Sequence, residues 1–237
     1  MKYMGSKNRF AKELLPIILK DRTDGQYYVE PMVGGANIID KVDGNRLGAD
    51  FNEYLSEMWV ALTNGWMPKQ HYTKDEYTDI KNYKNNYPKY LVGYVGINCS
   101  YSGKWFGGYA GITETKGGVR DYQKEAYNNV NKQLKDLKNV TFMHSDYKNL
   151  EIPNNSIIYC DPPYEGTTKY KDDFNHNEFW DWCRAKTIQG HKVFISEYNA
   201  PKDFECVWEK ETKSSLSANG KSGGNKVSTE KLFKLKQ

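Results

Sequence analysis

The sequence predicts an α/β fold: an open, mixed and mostly parallel sheet that carries an inserted helical and loop-rich lobe. Three observations predict it. Short apolar strands alternate with amphipathic helical stretches toward both ends of the chain. A glycine turn, Val33-Gly34-Gly35, follows the first strand, and an acid closes the second. Between residues 65 and 122 the alternation breaks off. At 237 residues the chain is long enough for one sizeable core with an insertion and short for two independent domains.

In order, residues 7–20 read as an amphipathic helix with Phe10, Leu14, Leu15 and Ile18 at helical spacing, and Pro16 should kink or divide it. Residues 26–30 (QYYVE) are β-rich and run into the glycine turn, followed by a short helix at 37–41 and a strand at 46–50 (RLGAD). Residues 52–64 read as a helix with Leu55, Met58, Trp59 and Leu62 on one face. Residues 65–122 are rich in Tyr, Asn, Lys and Gly; within them 98–118 read as an aromatic, basic loop, and the whole stretch reads as an insertion. The sheet resumes after a helix at 123–137, with Tyr127, Val130, Leu134 and Leu137 on one face. Strands at 140–143 and 156–160 (SIIYC), a helix at 178–188, a strand at 192–196 and two antiparallel strands near 206–210 and 231–235 complete it. The Lys/Gly/Ser stretch 213–226 reads as a mobile loop.

Composition narrows the class. Aromatic residues make up 14% of the chain, with 19 tyrosines, so a folded protein is expected. A formal charge of +4 permits a polyanionic partner without requiring one. Cys99, Cys160, Cys183 and Cys206 form no CxxC pair, and His71, His144, His176 and His191 show no ligand spacing, so neither a metal site nor a disulfide framework is expected. Scattered thiols, the lack of a signal peptide and the lack of a membrane-length apolar run lead us to expect a soluble, cytoplasmic protein with no membrane partner.

The strongest chemical signal is Asp161-Pro162-Pro163-Tyr164, directly after the apolar run SIIYC. Consecutive prolines fix φ and remove two N–H donors, locking the backbone as it leaves a strand, at the strand end where open α/β sheets bind ligands. The set suits a planar amine. Asp161 and the Pro162 carbonyl are two acceptors for its two hydrogens, which turns the nitrogen lone pair toward an electrophile. Tyr164 offers a stacking ring that also favours a nearby cation, by on the order of 1–2 kcal/mol when desolvated. Asp161 serves chiefly as an acceptor and relays a proton afterwards, since an ordinary carboxylate is too weak a base to deprotonate such an amine beforehand.

Asp161–Tyr164 resembles the DPPY motif of amino-methylating nucleic-acid methyltransferases, and the motif order of the whole chain resembles the Dam-type (D12 class) DNA adenine-N6 methyltransferases. Lys2-Tyr3-Met4-Gly5-Ser6-Lys7 is similar to their N-terminal motif, and Val29-Glu30-Pro31-Met32-Val33-Gly34-Gly35 to their cofactor loop, with Met32 where the family has Phe. Asp50 matches the acid closing their second strand, Asp146-Tyr147 the pair after their third, and Glu230-Lys231-Leu232-Phe233 their last strand. The resemblance implies a Rossmann-like, S-adenosylmethionine-dependent methyltransferase sheet, with 1–64 and 123–237 as the catalytic domain and 65–122 as the target-recognition lobe. On it Asp161, Pro162 and Tyr164 are catalytic. Lys7 pairs with the cofactor's carboxylate, Tyr3, Gly5 and Pro31 line its pocket, and Gly34 and Gly35 let the backbone approach. Glu30 or Asp161 meets its ammonium group, Asp50 takes the ribose hydroxyls, and Phe51 and Tyr147 sandwich its adenine beside Asp146.

For duplex DNA the lobe supplies Tyr101, Ser102, Lys104, Trp105, Phe106, Arg120 and Tyr122, joined by Lys2. Cations neutralise phosphates, and aromatic wedges fill the gap left when the target base is flipped out. Tyr198 or Asn199 is a candidate to hold the flipped base. The expected reaction is methyl transfer from S-adenosylmethionine to adenine N6 in duplex DNA, with a cognate restriction endonuclease as a candidate partner. Two other readings stand beside it: cytosine-N4 methylation, because the same acceptor pair suits that amine, and a noncatalytic DNA-binding protein that keeps the fold.

Overall fold

The computed structural model describes residues 1–115, 117–165, 174–213 and 227–236, so the stretch 213–226 expected to be a mobile loop lies outside the described residues from 214 onward. The helices are α1 (Ala11–Ile18), α2 (Glu53–Thr63), α3 (Lys74–Asn82), α4 (Lys89–Asn98), α5 (Tyr122–Leu134) and α6 (His176–Ile188). The strands are β1 (Tyr28–Glu30), β2 (Arg46–Asp50), β3 (Ile112–Thr115), β4 (Gly118–Asp121), β5 (Val140–His144), β6 (Ile157–Cys160), β7 (Lys192–Glu197), β8 (Phe204–Lys213) and β9 (Val227–Leu235). Seven strands belong to a mixed, mostly parallel sheet, as the α/β reading expected, and β3 and β4 form a separate antiparallel hairpin. The chain divides into two compact units, Met1–Lys12 with Tyr28–Glu151 and Glu13–Tyr27 with Ile152–Gln237.

In the first unit β5, β2 and β1 run parallel in that order. β1 and all but the last residue of β2 are buried, as in parallel strands covered on both faces, whereas β5, at the edge, alternates buried and exposed residues. Gly48 lies opposite Phe142, and a Cβ there would sit 2.9 Å from that ring; the room lets Phe142 stack on Trp59 at 5.6 Å. Asn52 caps α2 by accepting the N–H groups of Tyr54 and Leu55, and the predicted face Leu55, Met58, Trp59 and Leu62 is buried. The buried Arg46 guanidinium donates to the carbonyls of Ile39, Asp136 and Lys138, tying the chain beyond α5 to the start of β2.

Three expectations are corrected here. Residues 98–118, read as loop, begin at the last residue of a buried helix, α4, and hold β3 and the first residue of β4. Gly93 and Gly96 lower helix propensity on paper but are required by packing: a Cβ at Gly93 would lie 2.0 Å from the Tyr54 carbonyl oxygen, and one at Gly96 2.6 Å from Trp105. The first helix divides before Pro16, between a 3-10 turn at Asn8–Phe10 and α1, and Pro16 lies inside α1. Of the predicted face Val130 and Leu137 are buried, Leu137 just beyond the end of α5, but the helix's inward face is rotated from the predicted one. Gln123, Ala126, Val130 and Gln133 are buried, while Tyr127 and Leu134 are only partly so, because the two glutamines hold loop backbone.

In the second unit β6 and β7 are parallel, with β9 antiparallel to β7 and β8 antiparallel to β9. All four residues of β6 are buried, which fits its unbroken apolar sequence. The Ser156 N–H entering β6 is accepted by His191 Nδ1 at 3.1 Å. Among the described residues no helix is long and apolar enough to cross a membrane.

Candidate active site

The first unit carries the residues expected to bind a cofactor. The glycine loop after β1 is held from several sides. Its carbonyls accept from neutral donors: Gly34 from Trp59 Nε1 at 2.9 Å, and Gly35 and Ala36 from Gln133 Nε2 at 3.0 and 2.8 Å. The Gly34 N–H donates to Asp50 Oδ2 at 2.9 Å, and the Asn52 N–H donates to Asp50 Oδ1 at 2.9 Å. Gly34 has φ +49°, and a Cβ there would meet the Tyr3 ring at 2.8 Å; one at Gly35 would meet Tyr3 Cβ at 2.6 Å. The glycines thus make room for Tyr3 to lie on the loop. Desolvation holds the Asp50 carboxyl above the ordinary range, and the Asn52 and Gly34 amides and His144 act against it.

Phe51 is 74% exposed, an unusual cost for a phenylalanine directly after a strand. The ring beside it is His144, at 6.5 Å, whose Nε2 also lies 3.0 Å from the Phe51 carbonyl oxygen. Tyr147, expected to share a sandwich with Phe51, is buried, and Asp146 accepts the Lys148 N–H at 3.0 Å. Lys7 is buried with its Nζ 3.1 Å from the Gly5 carbonyl oxygen. Glu30 is buried and accepts from Tyr28 Oη at 2.9 Å. His144 escaped the sequence reading although it stands two residues before the matched pair Asp146-Tyr147, because only folding brings it beside Phe51; Gln133 carries no such signal.

The second unit carries the proline corner. Register pairs Cys160 with Ile195, so the corner leaves β6 at the edge where β7 ends in Ser196 and Glu197. Tyr164 donates its hydroxyl to Glu230 Oε2 at 2.9 Å and meets Tyr198 edge-on at 4.6 Å. Burial first, then the charges of Asp161 and Glu230, push the phenol well above its ordinary range, so it is neutral. Glu197 is buried and accepts two backbone N–H groups, from Tyr198 at 2.7 Å and Glu165 at 3.1 Å. Burial pushes its carboxyl up to about 7, with Asp161 and Glu165 adding to the rise. A carboxylate closing the strand KVFISE was a visible signal, yet the sequence singled out only its neighbours Tyr198 and Asn199.

Of the residues expected to touch DNA, five line one cavity of about 320 Å³ in the first unit: Lys2, Tyr101, Ser102, Arg120 and Tyr122. Lys2 and Arg120 both lie over the Tyr122 ring, at 5.6 and 4.6 Å. Both also pair with Glu125, at 2.8 and 2.6 Å, and Arg120 first, then Lys2, lowers its carboxyl to about 2. Trp105 and Phe106 lie elsewhere, with Trp105 against Tyr54 and Phe106 against Tyr77. Lys104 is exposed and packs along Gly107.

The family model described as D12 class N6 adenine-specific DNA methyltransferase matches residues 3–93 and 92–213. The chain is also similar to the type II methyltransferase M.FokI of Planomicrobium okeanokoites, 25% identical over 214 residues. That alignment takes in 80% of this chain and 32% of the relative, so the chain spans about a third of that protein's length.

Proposed function

The chain belongs to the D12 class of N6 adenine-specific DNA methyltransferases, and from that premise we propose that it transfers a methyl group from S-adenosylmethionine to the N6 amine of an adenine flipped out of duplex DNA. The observation that carries the reading is the proline corner after β6, with its neutral Tyr164 pinned by Glu230 and Tyr198.

The donor set of the first unit suits this cofactor. Asp50 has both oxygens oriented by loop amides, as a group accepting a ribose diol requires. Phe51 follows as an exposed stacking ring, and the buried ammonium of Lys7 suits a carboxylate. Tyr3, Gly5, Glu30, Pro31, Gly34, Gly35, Asp146 and Tyr147 complete the proposed pocket. When bound, S-adenosylmethionine supplies an electrophilic methyl group on a sulfonium.

The corner's own residues do the rest. Asp161 and the Pro162 carbonyl accept the two N–H groups of the amine, so its lone pair is directed rather than delocalised into the ring. Tyr164 stacks on the base. After transfer the nitrogen is cationic, and Asp161 takes its proton onto a carboxylate oxygen.

Duplex DNA binds, on this reading, across residues 65–122 and Lys2, with Arg120 and Lys2 exchanging Glu125 for phosphates, and Tyr101, Ser102 and Tyr122 beside the extruded base's gap. Lys104 remains a phosphate contact, and Trp105 acts by bracing α4. The setting is cytoplasmic, and the type II description of M.FokI suggests a restriction endonuclease of the same specificity as partner.

The test is tritiated S-adenosylmethionine with duplex DNA, followed by nucleoside analysis. Label in N6-methyladenine is expected; label in N4-methylcytosine, or none despite cofactor binding, would overturn the proposal.

A further inference from the structure

We propose that Glu197 is a positioning residue for methyl transfer: its ionised carboxylate hooks the outgoing end of the Asp161–Glu165 corner onto the end of β7 and so holds the amine-gripping acceptors in working geometry. The inference rests on the methyltransferase reading above.

The corner creates the need for such a hook. Pro162 and Pro163 have no N–H, so the two residues that shape the turn offer nothing for a neighbouring acceptor to hold. A hook must therefore act on the amides just beyond them, and Glu197 takes the one at Glu165, 3.1 Å away. Its other oxygen takes the Tyr198 N–H at 2.7 Å, and the Tyr198 ring in turn meets Tyr164 edge-on. One carboxylate thus fixes both the chain that leaves the corner and the ring that flanks the motif tyrosine.

The surroundings show what this costs. Glu197 is 3% exposed, and the groups facing it are mostly acidic or neutral. Asp161 and Glu165 come from the corner, Tyr164 is held by Glu230 of β9, and Tyr159 of β6 bonds Ser196 beside it. Lys231 is its cross-strand neighbour in the β7–β9 register. A buried anion among like charges is expensive, and a residue kept only to satisfy two amides would be better neutral.

Activity and stability should therefore respond to pH with opposite signs. The folded carboxyl titrates at about 7 against 4.5 for an unperturbed one, so between those values the folded state binds the extra proton. Stability from this group is fully present below the unfolded value and is lost as pH rises through the folded one. The hook needs the ionised form, so methyl transfer should rise over the same window.

Glu197→Gln tests this, because it keeps the shape and one acceptor oxygen but turns an N–H2 toward the second amide. The expected result is a kcat about tenfold or more lower, an unchanged KM for S-adenosylmethionine, and loss of the acid limb near pH 7. Its melting temperature at about pH 8 should equal or exceed that of the unmodified protein. Glu197→Asp, charged but one methylene shorter, should recover part of kcat and the acid limb. A Glu197→Gln protein with unchanged kcat and pH profile would overturn the inference, as would one that melts lower at about pH 8. If the unmodified protein transfers no methyl group, the methyltransferase reading fails; the inference is then judged on melting alone, and is sunk if the unmodified protein does not lose more stability from about pH 5 to about pH 8 than Glu197→Gln does.

Discussion

The glycine corner after β1 and the proline corner after β6 solve the same problem with opposite chemistry. Each holds irregular backbone rigid at the carboxyl end of a parallel strand. The glycine corner keeps its amides and carbonyls, and side chains reach in to satisfy them: Trp59 and Gln133 donate to three carbonyls, and Asp50 accepts one amide. The proline corner gives up two amides for stiffness, so it is held from beyond, by Glu197 on the Glu165 N–H and by Glu230 on the tyrosine hydroxyl. A loop fixed by its own backbone suits a ligand that only needs binding. A turn stiffened by its prolines and held from beyond suits the proposed role of gripping a group while it reacts.

Substitutions can separate the two corners. The largest effect we expect is from Tyr164→Ala, which removes the ring pinned between Glu230 and Tyr198. Single-turnover transfer should fall by about a hundredfold or more, with the dissociation constant for S-adenosylmethionine unchanged by calorimetry. Gln133→Ala should do the reverse. It strips the donor from two loop carbonyls at a cost of about 1–3 kcal/mol, lowering the melting temperature and weakening cofactor binding more than it slows transfer from saturated enzyme. Equal effects of both substitutions on binding and on rate would erase the distinction between the corners.

Smaller effects belong to the cavity around Tyr122. Lys2→Ala or Arg120→Ala should each reduce the slope of log affinity against log salt for duplex DNA by about one. Glu125→Gln should tighten DNA binding by a few fold, because it releases both cations from their ion pairs. Filter binding across a salt series checks all three, and an unchanged slope in both cation variants would remove this cavity from the DNA path.

Much of the fold was legible in the sequence for physical reasons. A strand covered on both faces must be apolar, so SIIYC announced itself, RLGAD was read as a strand closed by an acid, and the face of α2 followed from helical spacing alone. What failed was where polar or small residues do core work. Within the lobe, read as helical and loop-rich, α4 was not picked out; its Gly93 and Gly96 lower helix propensity on paper, although each is where another backbone or ring comes too close for a side chain. The face of α5 was misjudged because Gln123 and Gln133 are buried to bond loops far away in sequence. The candidate site shows the same split. Its motifs were readable as strings, whereas Glu197, His144 and Gln133 act through contacts that only folding brings together.

The most direct measurement is methyl transfer by Asp161→Asn, compared with its binding of S-adenosylmethionine and of duplex DNA. The amide keeps the size of the side chain but replaces one acceptor oxygen with a donor that opposes the adenine amine. We predict near-normal binding of both ligands and a rate lower by about a thousandfold or more. Transfer within a few fold of the unmodified protein would contradict a proline corner that works by gripping the amine.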